Sequence, residues 1–326
     1  MRISVCIPTV RPTTLAQAVR SILEQTFQDW ELVVVGQGDE AALRAATERG
    51  AKGDSRVRYL HIPRRGASVA RNAGTTATTG ELIAYLDDDC EAEQSWLATL
   101  DKAFGDDVGL VAGSLIAPPD ASRRFAVCPA IEPADVVYDP RRMQQPPEGF
   151  GVLGANIAVR RTDAVHVGPF DECMGPGSFF QGGEEHDYVR RLAQLGVRMR
   201  STPSSIVHHT YGVRYGWRAV YSHKRERIRG DGAVAAKGTL LEDPGGGRAI
   251  RDCVTAMARG QLKHLRLRRA VMTTFHFVHY VGSYRECLRN FALSSAAPVQ
   301  AVLMPRTDTG SRAVTAGVVS ASSASR

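Results

Sequence analysis

Five short apolar runs, Ile3 to Ile7, Glu31 to Val35, Val57 to Ile62, Leu82 to Leu86 and Val108 to Ala112, are separated by segments of helical pattern. After Pro12 the apolar residues Leu15, Ala18, Val19, Ile22 and Leu23 fall on one helical stripe. Glu40 to Arg49, Ser68 to about Thr78, and the stretch holding Trp96, Leu97, Leu100, Ala103 and Phe104 repeat that character. Parallel strands need a crossover between them, and a helix is the usual one, so this alternation predicts an α/β fold: a doubly wound, mostly parallel sheet flanked by helices.

The pattern then changes. Ala117 to Gly149 is rich in proline and charge and reads as a long loop over the sheet face. An ordered block, Gly151 to Val159, precedes a turn at Gly168-Pro169 and the run "GPGSFFQGGEEHDYVRRLAQLG", where Tyr188, Val189, Leu192 and Leu195 mark a helix. From Trp217 basic helical segments follow, broken by "DPGGG", with a final pattern from Ala249 to Leu293. The tail after Arg306 is mostly Ser, Ala, Thr and Gly and is expected to be disordered. The expected division is a catalytic domain over 1–215, a basic helical extension over 216–305 and a tail over 306–326.

A formal charge of +7 suits anionic partners such as phosphates or a membrane surface. No nucleic-acid recognition motif accompanies it, so nucleic acid is not expected as a partner. The six cysteines show neither paired nor zinc-ligand spacing and read as reduced thiols. "MRISVCIPTV" enters a strand pattern directly, and no eighteen-residue apolar span follows; both point to a cytoplasmic protein without a transmembrane helix.

The chemistry concentrates at two acidic clusters. "LIAYLDDDC" puts Asp87, Asp88 and Asp89 straight after an apolar strand, where mutually repelling anions call for a bound cation. Ligands of open parallel sheets lie at the carboxyl ends of the strands, so the position suits Mn²⁺ or Mg²⁺ on a diphosphate. The alternative is an acidic turn capping the helix at Trp96. The second cluster, "GGEEHDY", is either catalytic or simply favours the positive end of its helix.

"SVCIPTVRPTTLAQAVRSILEQT", "GASVARNAGTTATTGELIAYLDDDC", "GANIAVRR", "GPFDE" and "GGEEHDYVRRLAQLGVR" occur in that order, and over roughly residues 1 to 210 the chain resembles a family 2 glycosyltransferase of GT-A fold. The resemblance implies inverting, metal-dependent transfer from a nucleotide-diphosphate sugar to an acceptor hydroxyl. It puts Pro8, Thr9 and Arg11 beside the nucleotide, with Arg71 and Asn72 near the diphosphate. Where the family holds the base with an acidic residue, this chain has Gly36, Gln37 and Gly38, leaving Gln37 or Asp39 as substitutes. Asp87 and Asp89 match the outer positions of the family's DXD motif, with Asp88 expected to point away.

Glu185 matches the catalytic base, with Asp187 as fallback and Glu184 orienting sugar hydroxyls, while Gly182 and Gly183 let the backbone approach the sugar. His208 or His209 would complete the metal site, and Asn156 would lie near acceptor or sugar. The acceptor is a glycan, a polyprenyl-linked glycan or a natural product. The basic C-terminal segments either pack on the catalytic domain, rest on an anionic membrane or grip a phosphate-bearing acceptor. Two rival readings are a nucleotidyltransferase, for which a glycine-rich basic N-terminal loop is missing, and a non-catalytic nucleotide-sugar-binding protein.

Overall fold

The computed structural model describes residues 1–122, 125–243, 267–294 and 299–306. In chain order its strands and helices begin β1 Ile3–Thr9, α1 Pro12–Leu23, β2 Trp30–Gly36, α2 Glu40–Ala51, β3 Val57–His61, α3 Ala67–Ala77 and β4 Leu82–Leu86. They continue with β5 Glu91–Ala92, α4 Trp96–Phe104, β6 Val108–Ile116, β7 Ala126–Val127, β8 Val136–Tyr138, β9 Asn156–Arg160, α5 Arg161–Val167, α6 Glu184–Gln194 and β10 Arg198–His208. The last are β11 Arg214–Tyr215, α7 Trp217–Leu240, α8 Leu267–Asn290, β12 Phe291–Leu293 and β13 Leu303–Pro305.

The main sheet runs β3-β2-β1-β4-β9-β6-β10-β5, with β8 added to β10. Strands β3, β2, β1 and β4 are parallel, whereas β9 enters antiparallel between β4 and β6. The mostly parallel, helix-flanked sheet is therefore as expected, with one antiparallel insertion that apolar patterning does not encode. Strand β1 is buried along its whole length. Ile3, Val5 and Ile7 face one core with Leu15, Val19 and Trp96, and Cys6 faces the other with Val35, Tyr85 and Tyr188. Such double burial produces continuous apolar runs.

The order of strands reverses beside β1: β2 and β3 lie on one side and β4 on the other. The crevice at this switch point opens next to Thr9 and Asp87. The segment 117–149, read as a loop, contributes β7 to a ribbon with β11 and β8 to the sheet edge. Elements of two or three residues are too short to show a period.

The five described cysteines are free thiols, and Cys253 lies outside the described residues. "DPGGG" after Asp243, much of the basic stretch before Leu267 and the tail beyond Arg306 also lie outside them. Among the described residues no helix is long and apolar enough to cross a membrane.

Helices α7 and α8 run side by side in the same direction: Ser283 Oγ donates to Arg229 O at 2.6 Å, and Arg229 pairs with Glu286 at 2.8 Å. Helix α7 also packs on the turn before α6. A Cβ at Gly230 would lie 2.6 Å from Gly182 O and 2.8 Å from Gly183 N. Gly230→Ala is therefore expected to cost about 1–3 kcal/mol through overpacking, read as a lowered unfolding midpoint in urea.

Candidate active site

The loop after β1, the turn after β4, the start of α6 and the end of β10 converge on the crevice. Asp87 to Cys90 form a turn closed by Cys90 N donating to Asp87 O at 3.2 Å. Extended alternation fails here, so Asp88 does not point away as expected. Its Oδ2 accepts from Thr9 Oγ1 at 2.7 Å, and its Oδ1 meets Arg11 Nη2 at 2.6 Å. The same Arg11 nitrogen lies 2.8 Å from Asp89 Oδ2, so one half-exposed guanidinium balances two buried carboxylates. Burial raises the Asp88 pKa despite Arg11 and Thr9. Asp89 is also buried, yet its bond to His209, the His209 charge and Arg11 outweigh that and hold it well below the usual carboxylate range.

The two adjacent histidines separate cleanly. His208 turns to Glu93 at 3.0 Å, while His209 Nε2 lies 3.3 Å from Asp89 Oδ1. His209 Nδ1 lies 2.9 Å from Pro129 O; a carbonyl only accepts, so Nδ1 carries the proton and Nε2 is aimed at the acidic turn. Holding one ring nitrogen on a carbonyl while the other faces a metal position is the usual support of a histidine ligand. Cys90 lies within the same cluster. Burial, then the three aspartates, push its thiol well above its ordinary pKa, which suits it poorly to bind a hard cation. The donor set that fits Mn²⁺ or Mg²⁺ is Asp89 with His209, an oxygen and an imidazole.

Arg71 joins this turn to the second acidic cluster. Buried on α3, it places Nη2 3.2 Å from Asp87 Oδ1 and Nη1 3.0 Å from Glu184 Oε1. Glu184 Oε2 is buried without a hydrogen-bond partner. Burial, then the neighbouring Glu185 charge, raise the Glu184 pKa against the pull of Arg71. Glu184 and Glu185 open α6, where the helix N-terminus favours negative charge, and Glu185 is the less buried of the two.

Several expected site residues do structural work instead. Asn156, expected near acceptor or sugar, is fully buried: it accepts from Trp96 Nε1 at 2.9 Å and donates to Ser114 O and Ser205 O. Asn72 clamps the "GPFDE" loop by donating to Phe170 O at 3.0 Å and accepting from Phe170 N at 2.8 Å. Gln37 Nε2 donates to Arg64 O and Gly66 O, and Asp39 caps α2 through Ala42 N, so both substitutes for the base-holding acid are engaged within the protein. The place of that acid, Gly36, is crowded by the Tyr59 side chain.

Asp187, the fallback base, is fully buried between Arg191 at 2.8 Å and Lys237 at 2.9 Å and has no approach for a substrate. Gly183, at φ 88, lies against Gly230 of α7, where its missing side chain leaves room for that helix. Pro8 is buried near the end of β1, in register with Val35 of β2.

Sequence reading missed the contribution of α7 to the rim. Arg214 Nη1 lies 2.8 Å from His223 Nδ1. Burial, then Arg214, Arg227 and His209, push the His223 pKa down to about 4, which leaves its imidazole neutral near pH 7. The four-residue spacing of His223 and Arg227 in "YSHKRER" was the available signal.

Fold and crevice together define a GT-A glycosyltransferase. The profile of glycosyl transferase family 2 matches residues 4–167, half of the chain, and the chain belongs to that family. It is 27% identical over 227 residues to the glucosyl-dolichyl phosphate glucuronosyltransferase of Haloferax volcanii, covering 67% of this chain and 72% of that protein. It is 28% identical over 192 residues to the pre-mycofactocin glycosyltransferase of Mycobacterium tuberculosis, covering 58% of this chain but only 39% of that protein. Among solved structures, the mannosyltransferase PcManGT from Pyrobaculum calidifontis, in complex with GDP-Man and Mn²⁺, has a TM-score of 0.57 at 17% identity, covering 88% of this chain and 87% of that one. S. aureus TarS 1-349 in complex with UDP-GlcNAc has a TM-score of 0.56 at 13% identity, covering 96% of this chain and 98% of that one.

Proposed function

We propose that this protein carries out metal-dependent, inverting transfer of a sugar from a nucleotide-diphosphate sugar to an acceptor hydroxyl. One observation carries the reading: Arg71 spans 3.2 Å to Asp87 and 3.0 Å to Glu184, tying a cation-binding turn to a carboxylate pair at a helix N-terminus. Asp89 and His209 would hold Mn²⁺ or Mg²⁺, whose contribution is charge neutralisation on the departing diphosphate. Arg11, now balancing Asp88 and Asp89, is exposed enough to turn toward phosphate oxygens.

Glu185 acts as base on grounds of access. It takes the proton of the acceptor hydroxyl as the new bond to the anomeric carbon forms and the bond from that carbon to the phosphate oxygen breaks on the opposite face. Glu184 accepts from Arg71 at 3.0 Å and holds that guanidinium in place between the two acidic clusters. The likeness to the Haloferax glucosyl-dolichyl phosphate glucuronosyltransferase supports a polyprenyl-linked acceptor over the other two classes.

The test is nucleotide release from UDP-, GDP- and dTDP-sugars, with and without chelation of divalent ions. One donor is expected to turn over, and His209→Ala is expected to weaken Mn²⁺ binding by about 10–100-fold in a direct titration. Full turnover after rigorous metal removal overturns the metal role. Release of pyrophosphate from a nucleoside triphosphate, with no donor consumed, overturns sugar transfer.

A further inference from the structure

Six large aromatic side chains are exposed among the described residues, and four of them, Phe125, Tyr215, Trp217 and Tyr221, fall in one place. Their exposures are 51%, 56%, 63% and 46%. Gly216 N donates to Phe125 O at 2.8 Å, which sets Phe125 beside Tyr215 and Trp217 at the start of α7. Tyr221 follows one turn later on the Trp217 side of the helix, its ring tilted against that of Phe275 of α8 with centroids 4.6 Å apart. Together they form one patch, in contrast to singly scattered surface residues.

The same face is cationic. Arg218, whose guanidinium lies 5.3 Å over the Trp217 ring, Lys224 and Arg225 are exposed around the aromatics. The acidic neighbours are Glu226, which accepts from Ser222, and Asp120, which accepts from Tyr215. Aromatic rings that place an apolar body beside a polar edge, ringed by Lys and Arg, match the headgroup layer of an anionic bilayer.

We propose that the ribbon of β7 and β11 and the first turns of α7 form a docking face for an anionic phospholipid membrane. Phe125, Tyr215, Trp217 and Tyr221 enter the headgroup layer while Arg218, Lys224 and Arg225 meet lipid phosphates. The face adjoins the crevice, since Arg214 on the ribbon pairs with His223 on the rim. A docked membrane thus presents lipid-borne hydroxyls to the site. Membrane binding itself does not depend on the proposed reaction, so the two stand or fall separately.

The full chain is sedimented with vesicles of phosphatidylcholine alone and of phosphatidylcholine with phosphatidylglycerol. Binding to the anionic vesicles alone, weakened by salt, is expected. Trp217→Ala with Tyr221→Ala should lower partitioning about tenfold or more, and Arg218→Glu with Arg225→Glu should do the same. Circular dichroism and the rate of donor hydrolysis in solution, unchanged in both variants, exclude misfolding. No binding to anionic vesicles, equal binding to neutral ones, or unchanged partitioning of both variants overturns the proposal, as does binding to a soluble glycan in place of vesicles.

Discussion

Glu185→Gln is expected to bind the sugar nucleotide as the parent does while losing about 10²–10⁴-fold in transfer rate. The amide keeps the shape of the side chain and cannot take a proton. Glu184→Gln is expected to behave differently. Its carboxyl is buried against Arg71, so removing its charge leaves that guanidinium with Asp87 as its remaining close anion. Donor affinity and stability should then both fall. Measuring nucleotide affinity and single-turnover transfer for the two variants separates base from support. Equal transfer by Glu185→Gln and the parent sinks the assignment of Glu185.

The second large effect lies 52 residues along the chain, at Lys237. Its Nζ sits 2.7 Å from Asp171 and 2.9 Å from Asp187, with all three side chains fully buried. Asp171 Oδ2 also accepts from Leu303 N at 2.8 Å, so the cluster ties α6, α7, the "GPFDE" loop and β13 together. Lys237→Met is expected to destabilise the protein by about 3–5 kcal/mol, because it leaves two buried carboxylates undercompensated. Chemical denaturation measures it.

Acid gives the same cluster a second signature. Burial would raise the Asp187 pKa, but Lys237, Arg191 and Arg190 overcome it and hold the group below the usual carboxylate range. A depressed folded value means the stabilisation is complete above the unfolded value, about 4, and lost as pH falls below it. The parent should therefore lose stability on acidification through that window more steeply than Lys237→Met does.

How much of this was readable in the residues follows from physical range. Strands β1 to β4 and helices α1 to α4 announce themselves because each buries enough apolar surface to impose a period. The sense of β9 does not, since parallel and antiparallel neighbours demand the same side chains on a strand buried on both faces. Three consecutive aspartates look alike in one dimension, and only the turn after β4 decides that Asp88 and Asp89 both reach Arg11. His208 and His209 stayed equivalent for a similar reason, because the chain leaves β10 between them.

The distant pairings were hidden most deeply. Nothing near "GGEEHDY" signals that Asp187 is neutralised by a lysine fifty positions later. Nor does anything near Asn156 signal that its amide is spent on Trp96, Ser114 and Ser205. Both residues have the chemistry of a site and the surroundings of a core.

The glycine-to-glycine seam between α7 and the turn before α6 has a bearing on protein engineering. Chimeras that graft the C-terminal helices of one relative onto the nucleotide-binding half of another, in the hope of changing the acceptor, would break a joint with no slack for a single methyl group. The transplant that respects the joint carries residues 171–187 along with α7, so the glutamate proposed as base travels with the foreign piece.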